Sequence, residues 1–89
     1  MSKSYQIFLA PYAKSDLDKV PSDIFKKIDK KIRELSNNPR PLGIKKLDPN
    51  LYRIRFERWR ILYSILDAEA RVLILRVVRR NERTYRSLN

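Results

Sequence analysis

Residues 51–85 read LYRIRFERWRILYSILDAEARVLILRVVRRNERTY, and this stretch decides the fold. Tyr52, Ile54 and Phe56 alternate with Arg53 and Arg55, which predicts a strand with one apolar and one cationic face. Only Glu57 and Arg58 separate that strand from the run Trp59 to Leu66, so a tight antiparallel hairpin follows, although its turn lacks an Asn-Gly or Asp-Gly signature. Asp67-Ala68-Glu69-Ala70 supplies the next turn. Arg71 to Val78 is β-branched and leucine-rich, apolar enough to lie centrally in a sheet. Arg79 and Arg80 follow, and then a polar segment, Asn81 to Asn89, expected to be a short helix or tail.

Upstream the pattern changes period. Tyr5 to Leu9 alternates as a first strand. Pro11 suits the first turn of a helix, and Ala13, Leu17 and Val20 form one apolar stripe before Pro21 stops it. A second helix opens near Pro21 or Ser22, with Asp23 at its positive end and Ile24, Ile28, Ile32 and Leu35 in a stripe. Lys26, Lys27, Lys30 and Lys31 crowd its other side, so this helix depends on burying its stripe. Ser36 to Gly43, rich in Asn and Pro, divides the helical from the strand periodicity, and Ile44 to Asn50 reads as a basic connection to the sheet. Each half would expose its apolar face alone, so residues 1–89 are expected to form one α+β domain. Its N-terminal strand and helical hairpin should pack on a twisted antiparallel sheet of about four strands, with the first strand beside the last and the opposite sheet face partly open.

Lys and Arg number 21 against 10 Asp and Glu, a net charge of +11, which favours a polyanionic partner such as nucleic acid or an acidic protein. The absence of cysteine excludes disulfides and thiolate-bound metal. The absence of histidine removes the commonest neutral-pH base and metal ligand, so no metal or cofactor is expected. Any chemistry must come from Arg, Lys, Tyr or carboxylates. The apolar run Tyr5 to Leu9 is too short for a signal core or a membrane span, and the expected location is the cytoplasm with no membrane partner.

Arg53 and Arg55 share a strand face, Arg60 lies across the hairpin, and Arg80 begins where the last strand ends. Two alternating arginines are ordinary on an exposed strand, where their stems cover apolar surface. Convergence of Arg60 and the Arg79-Arg80 pair with them is not ordinary. Such a cluster repels itself until phosphates accept its forked, charge-assisted bonds. Tyr85 could stack on a base or simply pack.

Taken together, Leu51-Tyr52-Arg53-Ile54-Arg55, Trp59-Arg60-Ile61-Leu62-Tyr63, Ile74 to Arg80 and Tyr85 resemble the RelE/ParE superfamily of toxins from type II toxin-antitoxin systems. The segment Leu35 to Leu47, with Asn38-Pro39-Arg40-Pro41 and then Lys45-Lys46-Leu47, resembles the loop of that family. For RelE-like members the resemblance implies ribosome-dependent endonuclease activity on A-site mRNA, by attack of a ribose 2′-oxygen on the adjacent phosphate, which inhibits translation. It implies catalytic roles for Arg53, Arg55, Arg60, Arg80 and Tyr85. RNA or phosphate contacts are expected from Lys45, Lys46, Arg53, Arg55, Arg58 and Arg79. A cognate acidic antitoxin, the ribosome and mRNA are the implied partners, with oligomerisation through the toxin-antitoxin complex. Two departures stand out. Val77-Val78 replaces the Val-Gly pair common before the basic dipeptide, which leaves the phase of Arg79 against Arg80 open. Both second-strand basic residues are arginine, a poor general base, so Arg53 and Arg55 suit charge stabilisation better than proton removal. The competing expectations are a ParE-like toxin acting on DNA gyrase and a non-enzymatic basic module that binds RNA or an acidic peptide.

Overall fold

The computed structural model describes residues 4–80. Its elements are β1 (Gln6–Leu9), α1 (Pro11–Asp18), α2 (Ser22–Glu34), β2 (Lys45–Asp48), β3 (Leu51–Phe56), β4 (Trp59–Leu66) and β5 (Arg71–Arg79), with one turn of 3₁₀ helix at Asp67–Glu69. The strands form one sheet in the order β1-β5-β4-β3-β2. The expected α+β class and helical hairpin are therefore present, and β1 does lie beside the last strand. The expected C-terminal helix or tail falls outside the described residues.

Two features of the sheet differ from expectation. The sheet has five strands rather than four, because Lys45–Asp48 pairs with β3 as an edge strand instead of serving as a plain connection. Its residues are mostly exposed and show no apolar alternation, so only backbone pairing marks it as a strand. Lysines on such an edge also discourage pairing with another chain. The sheet is not wholly antiparallel either: β1 runs parallel to β5, with Gln6 opposite Arg71 and Leu9 opposite Ile74. The helical hairpin between β1 and the meander makes this direction possible, since parallel partners need a long crossover.

Both helices are held by the stripes read from the sequence. Ala13 of α1, Val20 just after it, Ile28 and Ile32 of α2 and Leu35 at its C-terminal end pack in one buried cluster with Tyr52, Ile54, Ile61, Tyr63, Ile65, Val72, Ile74 and Val77. Leu62 and Val78 are also buried but stand outside this cluster, and their register places them on the opposite sheet face. That face is therefore less open than expected.

The loop after α2 is bound closely to the sheet. Tyr5 donates its backbone N–H to Ser36 O at 2.8 Å, and Ser36 Oγ donates to Tyr5 O at 2.7 Å. Arg40 forms a forked pair with Asp67 at 3.1 and 2.8 Å, and lies over the Tyr52 ring at 5.5 Å. Tyr63, fully buried, donates its hydroxyl to Pro39 O at 2.8 Å. Tyr63→Phe should cost about 1–3 kcal/mol by leaving that carbonyl without its donor. Burial, reinforced by Tyr52, raises the Tyr63 phenol from 10.0 to about 12. Because the folded state favours the protonated form, its contribution is complete below pH 10 and is lost as pH rises towards about 12. Chemical denaturation between pH 9 and pH 12 should show that loss in the wild type, and a shallower one in Tyr63→Phe.

Candidate functional site

The β3–β4 hairpin sets the geometry of the arginines. Phe56 pairs with Trp59, so the loop is Glu57-Arg58 alone, and Glu57 adopts a left-handed φ of 54°. A left-handed non-glycine residue costs about 1–2 kcal/mol, a cost that the strand pairing on either side of the turn has to offset. Register then puts Arg55 directly opposite Arg60, and Arg53 opposite Leu62. Like charges placed opposite one another on adjacent strands destabilise the pairing.

Arg53 and Arg60 are not on an exposed cationic face as the alternation suggested. Each is only 7% exposed. Arg60 Nη1 donates to Glu57 O at 3.1 Å and to Trp59 O at 3.0 Å, which turns its guanidinium towards the hairpin tip. Burial pushes the Arg60 pKa down, and Arg55, Arg53 and Arg80 push it further in the same direction. Burial likewise lowers that of Arg53, with Arg55 adding to the effect. Arg55 and Arg80 are exposed.

The phase of the last two arginines is now fixed. Arg79 pairs with Trp59, and Val78 pairs with Arg60. Arg80 donates its backbone N–H to Arg58 O, which places it one step beyond, on the Arg60 side. Arg60 is the common member of the cluster, within electrostatic reach of Arg55, Arg53 and Arg80, and Arg53 is within reach of Arg55.

The remaining predicted contacts divide between two regions. Lys45 pairs with Arg53 and extends the same row across the sheet, while Lys46 pairs with Tyr52 on the alternate face. Arg58 and Arg79 line an open groove with Lys19, Pro21, Ile24, Glu57 and Trp59, between the helices and the hairpin tip. Tyr85 lies outside the described residues. Sequence reasoning missed the Arg76–Asp16 ion pair, 2.8 Å between Nε and Oδ2. The signal for it was an arginine inside the apolar run Val72 to Val78, which a strand buries only with a partner. Among the described residues, no group of three or more His, Cys, Asp or Glu side chains is placed to hold a metal, and no helix is long and apolar enough to cross a membrane.

Mutual repulsion in this cluster has a measurable consequence. Raising salt from about 10 mM to about 0.5 M shortens the screening length severalfold. The melting temperature should then rise by roughly 2–4 °C, corresponding to about 0.5 kcal/mol of relieved repulsion. A fall over the same range would mean that attractive pairs dominate the surface.

Comparison with known proteins adds independent information. Residues 7–84 match the family model described as ParE toxin of type II toxin-antitoxin system, parDE. No curated protein sequence matches the chain. Among solved structures, the RelBE2 toxin-antitoxin complex of Mycobacterium tuberculosis contains a chain 30% identical, with TM-score 0.78 over 86% of this chain and 92% of that one. The RelB-RelE complex of Methanococcus jannaschii contains a chain 29% identical, with TM-score 0.71 over 92% and 99%. The archaeal RelE-RelB complex of Pyrococcus horikoshii, at 21% identity, shares the fold with TM-score 0.80 over 88% and 97%. The sheet, the helical hairpin and a family match across nearly the whole described length agree: the chain belongs to the RelE/ParE superfamily of toxins from type II toxin-antitoxin systems.

Proposed function

We propose that this toxin is a ribosome-dependent mRNA endonuclease that cleaves mRNA in the A site and so inhibits translation: the ribose 2′-hydroxyl loses its proton and attacks the adjacent phosphorus, the bond to the 5′-oxygen of the next nucleotide breaks, and that oxygen takes up a proton, leaving a 2′,3′-cyclic phosphate and a 5′-hydroxyl. The observation that carries this is the convergence of Arg53, Arg55, Arg60 and Arg80 at one end of the sheet, with Arg60 buried and oriented by two carbonyls. Four cations held together against their own repulsion gain stability from a polyanion, and most from the extra charge that develops on a phosphate under attack. Arg60 and Arg80 are assigned to the scissile phosphate. Arg53 and Arg55 position the backbone and stabilise the leaving group, and Tyr85 stacks on a base or assists proton transfer. Lys45, in line with Arg53, extends the phosphate track.

Alignment of nucleophile and phosphate can supply several powers of ten in rate, and each donor on the developing anion about 10²- to 10³-fold more. Chemistry of this kind does not require histidine. Primer extension on mRNA from cells expressing the chain tests the proposal directly, with cuts inside translated codons as the expected result. Intact mRNA would exclude it.

The same scaffold suits a cognate acidic antitoxin that neutralises the arginines, and the complexes of RelE with RelB among the solved relatives support such a partner. A second reading, a ParE-like toxin acting on DNA gyrase, is raised by the ParE name of the family model that the chain matches, which itself names no target. Linearised, gyrase-linked DNA together with intact mRNA would decide for it.

A further inference from the structure

The last strand carries one residue more than its neighbour requires. Tyr63 pairs with Ile74 but Leu62 pairs with Arg76, so Leu75 is the extra residue of a β-bulge. A bulge changes which side chains face which side beyond it. Continued from Tyr63 and Ile74 without the extra residue, the register would set Val77 opposite Arg60 and turn Arg79 towards the arginine cluster. With it, Val78 is opposite Arg60 and Arg80 joins the cluster.

One side chain holds the bulge. The pairing of β1 with β5 ends at Leu9 and Ile74, so the N–H of Val77 has no strand partner on that edge. Asp16 of α1 takes the vacant position. Its Oδ2 accepts the Val77 N–H at 2.9 Å and Arg76 Nε at 2.8 Å, while Oδ1 accepts Arg76 Nη2 at 3.1 Å. The two side chains are only 13% and 28% exposed, and Tyr12 lies against the guanidinium, 5.4 Å from ring centroid to Cζ. A largely buried ion pair contributes little net stability, because desolvation offsets its attraction. Fixing one register against another is the role for which such pairs are best attested.

We propose that Asp16 is a positioning residue for Arg80: by fixing the Leu75 bulge it sets the phase of β5, so that Arg80 and not Arg79 stands beside Arg60. This rests on the proposed function, in which Arg80 contacts the scissile phosphate. The test is a double-mutant cycle of Asp16→Ala and Arg80→Ala, read as cleavage of a defined reporter mRNA in a cell-free translation extract. Displacing a catalytic group by about 1 Å costs roughly 10²-fold. Asp16→Ala should therefore lower cleavage about 10²-fold when Arg80 is present, and less than about twofold in the Arg80→Ala background. A structural role alone predicts the same factor in both backgrounds, and that result would overturn the proposal, as would wild-type cleavage by Asp16→Ala. If Asp16→Ala does not fold with Arg76 left unpaired, Asp16→Ala/Arg76→Met replaces it, removing both charges while still leaving Val77 N–H unheld. Arg80→Ala with wild-type cleavage would remove the assignment of Arg80 and this proposal together. Loss in Arg80→Ala with equal factors in the cycle would remove only the role of Asp16.

Discussion

Arg60→Ala is expected to lower mRNA cleavage in a translating extract by about 10²- to 10³-fold, the cost of removing one preorganised donor from a developing anion. Arg60 is buried and held by the carbonyls of Glu57 and Trp59. The effect on stability should be far smaller. Losing those two hydrogen bonds costs about 1 kcal/mol each, and relief of repulsion from Arg55, Arg53 and Arg80 offsets part of it. A folded, inactive protein is the expected product. Arg60→Lys separates charge from geometry, because lysine keeps the cation and loses the fork that can serve two phosphate oxygens. It should recover little of the lost activity. If Arg60→Ala stopped translation at the wild-type dose, the phosphate would have to be held elsewhere, and the gyrase-directed reading would gain.

The largest stability effect should fall in α2. Ile28 is fully buried at the middle of the only apolar stripe on that helix. Its other side carries Lys26, Lys27, Lys30 and Lys31, and the ion pair between Arg33 and Asp29 is an exposed one that adds little. The helix therefore has little besides burial to hold it to the sheet. Ile28→Ala should cost about 2–5 kcal/mol, the usual range for cutting a buried isoleucine back to alanine. In a domain of this size that lowers the melting temperature by roughly 10–30 °C, measured by circular dichroism. A shift below about 5 °C would mean that the helix is held by contacts other than its stripe.

Ile28 and Arg60 also illustrate how differently the two kinds of residue were legible. The helix stripes and the alternation of Tyr52, Ile54 and Phe56 are local and periodic, and they gave the hairpin and the meander directly. Lys45–Asp48 was missed because an exposed edge strand needs no apolar pattern, only a neighbour with free backbone groups. Arg53 and Arg60 were recognised as site candidates but misplaced, since alternation distinguishes faces without saying which is covered. The absence of glycine at Val78 left Arg79 and Arg80 indistinguishable in the sequence.

The sequence by itself determined the class of this protein: a small cationic α+β toxin domain with arginine at four positions near one end of its sheet. Periodicity and charge are properties of the chain, and the apolar stripes leave few ways to bury them. The tertiary structure alone decided which arginines meet. Arg55 reaches Arg60 through the pairing across a turn of two residues, and Arg80 reaches Arg60 through the register that follows a bulge beside which a carboxylate from α1 is bonded. Those outcomes depend on single-residue shifts in register, and a shift of one residue is set by contacts between segments that are far apart in the chain.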